Sequence, residues 1–216
     1  MSISVDLAAV QRGGFPMGGE PLVAIDLVDT LMTAVDPSVD LLAPPDRSAW
    51  WWTLQARRLP ESPTPEPAAA RRLRAAIRDL LDAHLEGREP LASSVEDVNA
   101  AAASVPSSLR LNYDGSGGGS GGSGGSANGS GAARAEIRWH TEYGGNVALN
   151  YIAREAIDLL TDEERLAKLR RCANPTCSML FLAETKRRQW CTSNVCGNRV
   201  RVARHQEKVR AAKRAA

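Results

Sequence analysis

The chain carries four cysteines, and all of them lie within one short stretch, Cys172-Ala-Asn-Pro-Thr-Cys177 and then Cys191-Thr-Ser-Asn-Val-Cys196. Both pairs have the spacing C-x4-C, and the segment between them is long enough to fold back and bring the pairs together. Two short loops that each present two thiolates form a tetrahedral cage for Zn²⁺, with Zn–S distances of about 2.3 Å. Four thiolates leave no coordination position for water, so the expected metal is structural, one Zn²⁺ per chain held by Cys172, Cys177, Cys191 and Cys196. Two disulfides, or four unrelated buried thiols, are the competing readings. The sequence shows no charged leader with an apolar core and a small-residue cleavage site, which leads to the expectation of a reducing, cytoplasmic compartment. No apolar run approaches the length of a membrane span.

Charge changes sign at the same place. From Arg170 onward there are twelve Lys or Arg against Glu184 and Glu207, a net of +10, while the rest of the chain carries −8 within a total of +2. A cage of four thiolates and one Zn²⁺ is formally −2, so the basic excess is larger than the cage needs. After Gly197-Asn198 the sequence has no helix breaker, and Arg201, Arg204, His205 and Lys208 recur at helical spacing on one face. A basic helix launched from a zinc module suits double-stranded DNA. Lys186, Arg187 and Arg188 are expected at phosphates, and Arg199 and Arg201, near the helix start, at base edges. A solvated basic tail would have the same composition.

Two other classes compete. RNA binding would use the same charges, but stacking on unpaired bases calls for exposed aromatics, and the module offers only Phe181 and Trp190. An enzyme with a structural zinc tail is the third reading. Its three histidines, at 84, 140 and 205, form no triad or metal motif, and no nucleophile elbow is present, so no catalytic residue is assigned.

The run Arg-Arg-Cys172-Ala-Asn-Pro-Thr-Cys177, then Leu180-Phe181, Arg187-Arg188-Gln-Trp190-Cys191 and Cys196-Gly197-Asn198-Arg199, resembles the CGNR-type zinc finger. Upstream, Leu22-Val-Ala-Ile-Asp-Leu-Val-Asp-Thr30 is similar to the opening Leu-Asp-Phe-Val-Asn-Thr pattern of the ABATE domain, with Asp29 where Asn is usual. The resemblance implies a bacterial stress-related transcription regulator. A zinc finger would contact DNA, and an N-terminal domain would sense a small-molecule or protein signal or hold a homodimer.

The expected fold is α+β and mostly helical: an N-terminal domain with a small antiparallel sheet and several helices, then a four-cysteine module ending in a basic helix. Residues 1–20 are expected to be a flexible N-terminus, 21–165 an ABATE-like domain containing a flexible Gly/Ser loop at 114–131, and 166–216 the finger with its helix. Leu22 to Leu27 alternates as a strand would, with a turn or short helix to Ala34. Asp26 and Asp29 invite a catalytic reading but fit strand-end caps better. Asp46 is a candidate cap for a helix to about Leu59, whose Trp50-Trp51-Trp52 cannot all face one core. Pro67 opens a helix that Gly87 ends, with Leu73, Ile77, Leu80 and Leu81 on its apolar stripe and His84 packed or exposed. Ser94-Val-Glu-Asp97 reads as a capping box for a helix to Ser104. Ser107–Tyr113 and Ala135–His140 read as hairpin arms. Asn146 to Leu160 reads as a helix, Thr161-Asp-Glu-Glu164 as a second capping box whose helix continues into the first zinc ligand, and Gly144-Gly145 as a hinge or a turn.

Overall fold

The computed structural model describes residues 7–12, 15, 20–113 and 133–215, so the Gly/Ser run at 114–131 lies outside the described residues. Near the N-terminus a short helix, α1 (Leu7–Arg12), buries Val10, and Phe15 and Glu20 are also buried. At these three described residues the chain is buried, within a stretch expected to be flexible. Val23–Val28 is a helix, α2, where alternation predicted a strand. All six of its residues are buried, and it packs against the two long helices of the body. A short apolar run enclosed on every side carries no period, so it satisfies strand and helix patterns alike. The strands come afterwards, as a two-residue pair of β1 (Leu31–Met32) with β2 (Val39–Asp40).

Helix α3 (Pro45–Gln55) begins with Pro at its first turn after Pro44, so Asp46 lies inside the first turn and is not the cap. Trp51 and Trp52 are buried, edge to face with centroids 4.7 Å apart. Trp50 is half-buried and stacks on Phe15 at 5.7 Å. The longest body helix, α4 (Pro67–Glu86), has a carboxylate cap, with Glu66 accepting from the amides of Ala68 and Ala69, and ends at Gly87 in the left-handed region. Its expected stripe of Leu73, Ile77, Leu80 and Leu81 is buried, and His84 is exposed.

Helix α5 (Ala92–Ala103) starts two residues ahead of the predicted capping box. Its first turn has no side-chain cap, and Asp79 on α4 instead accepts the amide of the preceding residue, Leu91, at 2.8 Å, which ties the start of α5 to α4. The hairpin is present as β3 (Ser107–Tyr113) and β4 (Ala133–Trp139), antiparallel. Helix α6 (Val147–Thr161) is capped by Asn146, which accepts the Leu149 amide at 3.0 Å. The fold is helical with small antiparallel sheets, as expected.

The connection to the cysteines differs from expectation. Asp162 caps only the four-residue helix α7 (Glu163–Leu166), and the chain then becomes a strand, β5 (Leu169–Arg171), paired with β6 (Leu180–Leu182). Leu169, Leu180 and Leu182 belong to the same core as α2, α4 and α6, while Phe181 and Met179 pack with the cysteines. Alternation along β6 therefore places one face on the body and the other on the cysteine cluster. Among the described residues no helix is long and apolar enough to cross a membrane.

Candidate metal centre and basic helix

The β5–β6 hairpin positions the first cysteine pair. Cys172 directly follows β5, its amide donating to the Met179 carbonyl at 2.9 Å, and a turn closed by Cys177 N–H to the Asn174 carbonyl carries the second sulfur back. Cys191 precedes, and Cys196 lies within, a π-helical turn at Ser193–Gly197. The four Sγ atoms all lie within 4.8 Å of one another, and Cys177 and Cys191 are 3.8 Å apart. A ZnS₄ tetrahedron with bonds of about 2.3 Å has edges of about 3.8 Å, so this spacing fits the ion. All four thiols are free, which removes the disulfide reading.

Amide donors and neighbouring thiols surround the sulfurs. Asn174 Nδ2 donates to Cys196 Sγ at 3.5 Å, the Met179 amide bonds Cys177, and the amides of Cys191 and Asn174 bond Cys172. Hydrogen bonds received from Cys177 and Cys191 bring Cys172 down to about 2. The same bonding to Cys172 pushes Cys177 up to about 12 and raises Cys191 well above its ordinary value. Four sulfurs in one contact sphere concentrate negative charge that a divalent cation neutralises. When bound, zinc supplies structure here, since no ligand position is left open.

Trp190 is half-buried against the cysteine cluster. A Cβ at Gly197 would lie 3.2 Å from its ring, so a larger residue there would push the indole by a few tenths of an ångström. Arg188, expected at a phosphate, is engaged within the chain. Its guanidinium sits 4.4 Å from the centroid of Phe181 and donates to the Leu182 carbonyl at 3.0 Å, the Cys191 carbonyl at 2.8 Å and Glu20 at 2.6 Å. The planar fork has been used to tie the finger to the body.

That tie was not legible in the sequence, and acidic side chains complete it. Asp29 Oδ1 accepts the Leu180 amide at 2.9 Å, Glu20 Oε2 accepts the Leu182 amide at 3.2 Å, and Ser178 Oγ accepts the Thr33 amide at 3.0 Å. Two carboxylates thus satisfy the free edge of β6. Asp26, the other member of the expected carboxylate pair, pairs with Arg58 and accepts the Glu20 amide. Burial raises Glu20 and Glu155 above their ordinary values, and Glu155 accepts the Ala24 amide.

Helix α8 (Asn198–Ala215) follows the π turn without interruption. Arg199, Arg201, Arg204, His205 and Lys208 are all exposed on it, and Lys186 and Arg187 are exposed beyond β6. Arg201 also reaches back, with Nε donating to the Gly197 carbonyl at 3.2 Å. Residues 22–163 match the family ABATE, described as "Putative stress-induced transcription regulator". The chain belongs to the ABATE family. Residues 168–209 match the CGNR zinc finger, so the ABATE body and the finger follow in the order that the resemblance implied. One structural zinc per chain is consistent with that finger and with the four-sulfur cluster. No curated protein matches the chain.

Proposed function

We propose that the chain is a DNA-binding transcription regulator in which the zinc cage orients α8 toward a DNA groove. The observation that carries this reading is the helix itself. From Asn198 to Arg210 only Val200 is even half-buried, and the remaining side chains are exposed. Arg204 and Lys208 stand four residues apart, a spacing at which like charges destabilise a helix. A polyanion removes that repulsion. Lys186 and Arg187 extend the basic surface, beside a cleft of about 770 Å³ lined in part by Arg187, Gln189, Trp190 and Asn194. Arg199 and Arg201 lie nearest the helix start and are the candidates for base edges in this reading.

The ABATE body is the sensing part in this reading. It offers a cavity of about 440 Å³ bordered by Leu73, Ala101 and Leu149, with Arg72 and Asp97 at its polar positions, as the place for a small-molecule signal. Residues 21–165 and 166–216 act as signal and DNA modules joined through β6.

Selection of the zinc-loaded chain on a randomised duplex library, with single-stranded RNA as competitor, tests the reading. Enrichment of a defined duplex site is expected. With roughly five phosphates neutralised, the slope of log affinity against log salt should be about −4 to −5. Arg201→Ala with Arg204→Ala should lower the slope by about 2 and retain the zinc. Binding that follows the RNA, or a slope unchanged by both substitutions, overturns the assignment of α8.

A further inference from the structure

The β3–β4 ribbon is divided by chemistry into two faces. Its register places Leu109 opposite Ile137, Leu111 opposite Ala135 and Tyr113 opposite Ala133, and directly opposed residues share a face. The other face carries Arg110, Arg134, Arg138 and Glu136 with Ser108 and Asn112. Alternation of this kind normally means that one side is buried. Here the apolar side is open: Leu109 is 79% exposed, Leu111 63%, Tyr113 68% and Ile137 47%. The ribbon is held to the body at its base, where Arg154 lies 5.4 Å from the ring of Trp139 and donates to Ser107 Oγ at 2.9 Å. A two-stranded ribbon with nothing on its apolar face is marginal in water, and a contiguous exposed patch of several hundred Å² marks a contact surface.

The segment that joins the two strands cannot supply the cover, because residues 114–132 consist of Gly, Ser, Ala, Asn and Asp alone. We propose that the face packs against the same face of a second copy of this chain. Charge favours that occupant, since the face carries none and self-pairing brings no like charges together, while every charge of the ribbon lies on the reverse. A patch that is complementary to itself is what a closed two-fold contact requires. Area agrees as well. The four large side chains present roughly 500 Å² per copy, so two faces bury at most about 1,000 Å², the lower bound for a specific association. The resulting dimer is of modest affinity and does not depend on the DNA reading. It carries two α8 helices, and in a DNA-binding chain these would read two half-sites.

Sedimentation velocity on the full zinc-loaded chain from about 1 to 100 µM tests the pairing, with a dissociation constant of about 1–10 µM expected. Leu111→Lys with Ile137→Thr should be monomeric across that range, at unchanged zinc content and helical signal, because both side chains are already exposed. Amide exchange in residues 107–113 and 133–139 of the unsubstituted chain, measured at the two ends of the range, needs no variant. Protection that rises with concentration supports the contact. A chain that stays monomeric throughout leaves the face to some other partner and overturns the proposal. So does a dimer that ignores both substitutions and leaves hairpin exchange independent of concentration.

Discussion

Asp29 is wholly buried, with Oδ1 on the Leu180 amide and Oδ2 without a partner among the described residues. Burial raises its carboxyl well above the ordinary 3.8, against the lowering effects of the Leu180 bond and Arg78. A carboxyl raised in the folded state binds its proton more tightly there than in the unfolded chain. Its contribution is therefore fully present below 3.8 and is lost as pH rises through the folded value. Asp29→Asn keeps an oxygen for Leu180 and never ionises. Urea unfolding should show the two chains close together near pH 4 and the variant more stable at pH 8 by roughly 1–3 kcal/mol. A gap that is constant with pH would mean that Asp29 does not titrate in folding. Arg188 presents the opposite case, because removing it strands Glu20. Arg188→Ala should cost about 3 kcal/mol and lower the melting temperature, and Arg188→Lys should restore little, since one ammonium cannot reach two carbonyls and a carboxylate while covering Phe181. A normal melting temperature with weakened DNA binding would return Arg188 to the phosphate contacts.

The corner before α6 separates two glycines that look equivalent in the sequence. Gly144 and Gly145 both have positive φ, of 87° and 82°. A Cβ at Gly144 meets nothing within 4 Å, whereas one at Gly145 would stand 2.4 Å from the Ser104 carbonyl oxygen at the end of α5. Gly144→Ala should cost roughly 1–3 kcal/mol of backbone strain, since φ 87° with ψ −163° is a region that only glycine enters readily, and Gly145→Ala should cost more than that, because α5 and α6 must also separate. Equal losses by thermal unfolding would show a loose corner, the hinge that the sequence left open. What could be read in advance follows the same logic. Helix α4 was legible from Pro67, Gly87 and the stripe between them, the hairpin from alternation, and the cage from spacing. Helix α2 was not, because an aperiodic apolar run is decided by what surrounds it. The Asp79 tie to α5 and the Glu20 and Asp29 anchors of β6 were invisible, since each joins residues remote in the chain. Helix α8 was legible in its period, yet its stability is a separate matter, because it is basic and uncovered. Duplex DNA should raise its helical dichroism by on the order of ten residues. No gain at saturation would mean that α8 is fully formed alone or is not the bound element.

Across the molecule, the ABATE body and the CGNR finger are two family matches that share one core, and β6 is the strand they share. Leu180 and Leu182 point into the body, Phe181 points into the cysteine cluster under Arg188, and the backbone edge is held by Asp29 and Glu20. The cage fixes Cys172 just after β5 and Cys177 just before β6, so zinc pins the ends of this hairpin. Structural zinc contributes about 10–16 kcal/mol to the folding of small modules, more than the whole stability of a typical domain. Losing it should release β6 and open the body's core at Leu169, Leu180 and Leu182. The expected result of chelation, or of Cys191→Ser, is a lower melting temperature for the entire chain in a single transition. The near-ultraviolet signal of buried Trp51 and Trp52 should change with it, although both lie in α3, a separate part of the chain. An independent finger would behave differently, melting alone while the tryptophan signal stayed as it was. A zinc-free chain with an unchanged tryptophan transition would sever the body from the finger, and with it the route by which a signal held between α4, α5 and α6 could reach the basic helix.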